Sequence, residues 1–168
     1  MSRPSRRTSP AGTRRSRPRP AGPSAPSPTA RLDGWARPIA AELARLAREG
    51  GTPRAKLERA LAVVFGAFAG SDPEIARAFL QGWQRAREDK QLRLALAWQR
   101  EQLRLSLAEI LAEGVQRGAF RPGLDPGAVA AVALGAAAGC MLQAPTEGGA
   151  GGADDLARAV VALVISEA

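Results

Sequence analysis

The sequence predicts an all-α bundle of about six helices behind a disordered basic tail. Three observations carry that expectation. From residue 33 onward, apolar side chains recur at three- and four-residue intervals, the period of one helix face. Nowhere do they alternate apolar with polar as half-buried strands do. Glycines, prolines and capping residues interrupt the helical period at the points where helices stop and restart.

Asp33 is placed to cap a first helix through "GWARPIAAELARLAREG", with Ile39, Leu43 and Leu46 on one face and Gly50-Gly51 as its stop. Thr52-Pro53 reads as an N-cap followed by proline at the first helical position. The second helix then carries Leu57, Leu61, Val64, Phe65 and Phe68 at amphipathic spacing, up to Gly70. Ser71 and Glu74 form a capping-box pattern for a third helix with Ile75, Phe79, Gly82, Trp83 and Ala86 inside. A long fourth helix spans roughly 90–117, with Leu92, Leu96, Gln99, Leu103, Leu107, Ile110 and Gly114 in one stripe. Gly118 and Pro122 break it. Asp125-Pro126 starts a fifth helix to about Leu142. "PTEGGAGGA" reads as a flexible loop, and Asp154 opens the last helix.

Charge divides the chain into a tail, residues 1–31, and a folded domain, residues 32–168. The net charge is +8 over 168 residues. Eight arginines and no acid lie in the first 32 residues, and the remaining sixteen cations balance sixteen acids. The basic excess therefore says nothing about partners of the folded part. No apolar secretory core follows the N-terminal cations. Proline density opposes the amphipathic helix of a transit peptide. The uncharged stretch 127–146 is too rich in alanine and glycine for a spanning helix, so no membrane role and a cytoplasmic location are expected.

The chain holds no histidine, which excludes Ser-His-Asp, Cys-His and Glu-x-x-His arrangements. The single cysteine, Cys140, lies mid-helix among small apolar residues and reads as a buried hydrophobe. Acids and arginines alternate along the fourth helix as on a solvated face. No enzyme activity, metal or cofactor is expected.

The last two helices are apolar on almost every side and need cover on every side. A second copy of the chain is the simplest cover. Ala131, Gly135 and Gly139 make a small-residue ridge for close helix approach, and Leu142, Val160 and Val164 complete the expected dimer interface. The rings Phe65, Phe68, Phe79, Trp83 and Trp98 fall on three successive helices. They read as core, or as the wall of a small-molecule pocket between bundle helices. Gln99, polar within an apolar stripe, needs a backbone, water or ligand partner if buried. The pocket reading assigns all six residues to a small hydrophobic or planar effector.

The run "DKQLRLALAWQREQLRLSLAEILAEGVQRGAFRPGLDPGAVAAVALGAAAGCMLQ" (89–143) resembles the C-terminal regulatory region of TetR-type transcriptional regulators. The likeness extends from about Leu32 to Ala168. It implies an effector pocket among the earlier helices and a four-helix homodimer interface from the last two. Members of that family begin with a three-helix DNA-reading domain. Residues 1–31 lack the apolar periodicity of even one helix, so the sequence predicts an effector-sensing and dimerising domain without its own helix-turn-helix.

Three readings fit the tail in its place: an arginine arm binding phosphates weakly and without sequence preference, a passive solubilising segment, or the product of a frameshift or misassigned start in a GC-rich gene. Two other functions stay open beside the regulator. One is a DNA-associated protein acting through its tail; the other is a non-enzymatic carrier using the bundle pocket.

Overall fold

The computed structural model describes residues 26–147 and 151–165. Six helices follow in order: α1 Pro28–Arg48, α2 Pro53–Ala69, α3 Pro73–Arg85, α4 Lys90–Gln116, α5 Pro126–Glu147 and α6 Gly151–Val164. Among the described residues the sole β pairing is an isolated bridge between Phe120 and Ile165. The all-α expectation stands. The tail before residue 26 lies outside the described residues.

Four helices begin the same way, with a polar cap followed by proline. Ser27, Thr52 and Asp72 accept backbone N–H groups of the first turn. The Asp125 carboxylate accepts those of Gly127 and Ala128, at 2.9 and 3.1 Å. Proline belongs at this position because its missing N–H is one the helix cannot use.

Three boundaries differ from expectation. α1 starts at Pro28, not after Asp33, because the earlier turn buries Leu32 and thereby lengthens the apolar face. Arg31 consequently belongs to α1 and pairs with Glu74 of α3 at 2.8 Å. α3 is capped by Asp72, not Ser71, since the residue before a proline is held extended and is therefore the natural cap. α5 runs on to Glu147 and α6 starts at Gly151. Of the expected loop, 145–147 belong to α5 and 151–153 to α6, with Ala153 packed into the core, and 148–150 lie outside the described residues.

α4 is the spine: it packs along α1 and α5, while α2 is sandwiched against α5 and α6. Leu43, Leu57, Leu61, Phe65, Leu107 and Ile110 form the centre of the core. Lys56 is buried on α2 and donates to Glu113 of α4 at 2.7 Å and to the Ala47 carbonyl at 3.3 Å. That pair pins three helices in register, since losing either partner strands the other in a low-dielectric setting. At the end of α4, Phe120 folds back against Gly114, where any Cβ would overlap its ring. Gly118 makes the reversal with a positive φ of 68°.

Candidate functional site

Where α3 crosses α4, the bundle does not close. A cavity of about 360 Å³ lies between α1, the end of α2, α3, α4 and α5. α3 has thirteen residues and buries only Ala78 and Gly82 fully. Gly82 lets it approach α1 and α4 closely, a Cβ there meeting Leu32 and Leu96 at 3.3–3.4 Å. Beyond that point its large side chains, Phe79, Leu80 and Trp83, stand over open space and become the cavity wall.

Four of the six expected pocket residues, Phe68, Phe79, Trp83 and Gln99, line this cavity. Phe79 and Trp83 face each other at 6.1 Å between ring centroids, tilted by 59°. Phe65 does not line it: the ring is 0% exposed within the core, about one turn before the wall residue Phe68. Trp98 does not line it either and is 66% exposed. Adjacent positions on a helix differ by about 100°, and α4 is not enclosed widely enough to take both Trp98 and Gln99 inward. Gln99 is half-buried, and its amide nitrogen donates to Asp33 Oδ1 on α1 at 3.3 Å.

Trp35 was not among the expected wall residues. It lines the cavity and packs edge-on to Phe68 at 4.8 Å between ring centroids, 70° between planes. Its position four residues before Ile39 was the available signal. Starting α1 at Asp33 hid that signal by placing Trp35 in a first turn. α5 adds Leu134, Gly135, Ala138 and Leu142 to the wall, a side the aromatic pattern did not disclose.

The expected dimer residues divide. Gly135 and Leu142 are exposed and line the cavity mouth, while Ala131 and Gly139 are half-buried, with open space where a Gly135 or Gly139 Cβ would stand. Val160 and Val164, at 8% and 1% exposure, are instead spent on the core of their own chain. The outward face of α6 carries Leu156, Ala159 and Leu163. On α5 an exposed stripe runs through Ala128, Val132, Gly135 and Leu142. α5 is long and apolar enough to cross a membrane on length and composition alone, but its Ala130, Ala133, Leu134, Ala137 and Met141 pack into the bundle.

Electrostatics around the site are set by local pairs. Arg104 donates to both oxygens of Glu101 at 2.8 and 2.5 Å. This hydrogen bonding, aided by the charges of Arg104 and Arg100, holds the Glu101 carboxyl below its usual range.

A six-helix bundle with an apolar cavity beside its long helix, and two apolar helices after a Gly-Pro turn, is the architecture of the TetR-type regulatory domain. Residues 53–166 match the family described as BetI-type transcriptional repressor, C-terminal, and the chain belongs to that family. Its fold is similar to that of the transcriptional regulator FadR from Bacillus subtilis, solved in complex with stearoyl-CoA. The TM-score is 0.59 at 20% identity, over 82% of this chain and 75% of that one. No curated protein matches the chain. The protein is thus a TetR-like ligand-binding domain of a transcriptional regulator.

Proposed function

We propose that this domain senses a small apolar effector in the cavity and works as a homodimer joined through the outward faces of α5 and α6. The observation that carries the reading is that α5 serves both surfaces: Gly135 and Leu142 belong to the cavity wall and to the exposed stripe. A ligand pressing on that wall changes the face offered to a second copy, which is how a bound effector shifts a two-state assembly. The stearoyl-CoA complex of B. subtilis FadR is a precedent for a ligand with a long apolar chain in this fold. Val132 and Leu163, 66% and 64% exposed, suit the centre of such an interface. An obligate interface buries about 2,000 Å² or more in total.

Sedimentation of wild type against Val132→Asp/Leu163→Asp tests the dimer. Wild type should sediment as a dimer at micromolar concentration and the double variant as a folded monomer. A wild-type monomer refutes the assignment. As a regulator the protein works in the cytoplasm. The seven arginines between Arg3 and Arg19 favour an added, weak attraction to DNA without base preference. Arg31 takes no part in that attraction, being paired with Glu74. Removing residues 1–26 should abolish the attraction and leave the dimer intact. Preference for one duplex over a scrambled one, in competition at physiological salt, would contradict it.

A further inference from the structure

Among the described residues the cavity wall is apolar except at two adjacent positions of α4, Gln99 and Arg100. Gln99 has committed its amide nitrogen to Asp33. Arg100 is, among the described residues, the one charged side chain on that wall. The neighbouring acid, Glu101, is held at both oxygens by Arg104. Among the described residues Arg100 enters no ion pair, its charge reaching Glu101 without a direct bridge, whereas Arg31, Arg77 and Arg104 are each paired. Leu96 and Leu103 flank Arg100 at the helical spacings of four and three, and both line the cavity. A side chain that lines the cavity and is also exposed to solvent stands at its mouth, with its apolar stem along the wall and its charge at the rim.

We propose that the effector is an amphiphile, with an apolar body inside the cavity and an anionic head group bound by the Arg100 guanidinium. The inference rests on the effector-sensing reading above. The volume of about 360 Å³ lies within the ~300–1,000 Å³ of small-molecule pockets. The rings of Trp35, Phe68, Phe79 and Trp83 supply the apolar surface. A planar guanidinium takes a carboxylate or a phosphate through two parallel hydrogen bonds. Among the described residues no carboxylate lines the wall to receive a cationic head. The rival is therefore a cation stacked on the rings.

Trp35 and Trp83 line the cavity, so intrinsic fluorescence of the full-length protein reports its filling; Trp98→Phe removes the exposed background. The probes are decanoate, decyl phosphate, decanol and decyltrimethylammonium, each below its aggregation threshold. At least one anionic probe should bind about tenfold or more tighter than decanol, the worth of a hydrogen bond to a charged group. The preferred anion tells carboxylate from phosphate. Arg100→Gln should bring the anion down to the level of decanol and leave decanol unchanged, with Arg100→Lys in between.

Decanol binding as well as both anions, tighter binding of the ammonium probe, or unchanged anion binding in Arg100→Gln overturns the anionic head while leaving the cavity in place. Equal loss of every probe in Arg100→Gln shows a structural role and overturns it as well. Failure of all four probes to bind removes the effector cavity itself.

Discussion

The two halves of α4 have the same sequence pattern and opposite surroundings. In the second half, Leu103, Leu107, Ile110, Leu111 and Gly114 are all buried; in the first, only Leu92 is. The second half faces α2 through the Lys56–Glu113 pair and is closed off by Phe120. The first faces α1 through Gln99 and α3 through Leu96. There the short α3 is the cover, and the cavity lies beneath it. A continuous apolar stripe therefore states which side of a helix turns inward; the length of the neighbouring helix decides whether that side meets a core or a cavity.

The comparison breaks most sharply under truncation. Ile110→Ala should cost ~2–5 kcal/mol, as buried large-to-small changes do, and Leu96→Ala clearly less, because its site already adjoins open space. Urea denaturation of both variants measures the gap; equal costs would mean that the first half is core too. Gly114→Ala comes next, at about 1–3 kcal/mol, since the Phe120 ring must move from a packed position. Its effect should appear as loss of the α4–α5 turn in hydrogen exchange. Trp98→Ala, on the exposed side of the first half, should change stability by less than about 0.5 kcal/mol. A larger loss would place Trp98 in an interface.

The smallest effect is a pH dependence at the join of the halves. The Glu101 carboxyl is held below its ordinary value of 4.5 in the fold. Its contribution is complete above 4.5 and fades as the pH falls through the lower folded value. Both partners are at the surface, so a slight acid-side drop in the urea midpoint is expected, and Arg104→Gln should reduce it.

The order of the helices was legible because caps, prolines and the apolar period are local; the lengths of α1, α5 and α6 were not, because their extra turns are held by packing. Burial phase was legible only where a helix has a polar side to contrast with. α3 and α4 have one, and Phe79, Trp83 and Gln99 were assigned to the cavity from it. α6 has almost none after Arg158, so nothing local separated Val160 and Val164, which face inward, from Leu156 and Leu163, which face outward. The α5 side of the cavity was hidden for a related reason. Leu134 and Ala138 are wall residues because of what lies across from them, and sequence spacing within α5 contains no trace of α3.

The cap-and-proline starts at Ser27-Pro28, Thr52-Pro53, Asp72-Pro73 and Asp125-Pro126 have a consequence for how such a chain can vary. Each of these helices carries its own origin in two adjacent residues, so its register does not depend on how many residues precede the cap. Doubling a flexible connection costs only about 0.6 kcal/mol in closure entropy. The α4–α5 connection is tied down by Phe120, whereas the stretch between Arg48 and Thr52 can therefore lengthen without moving a wall residue out of phase. Insertions there are edits between sentences whose first words remain fixed.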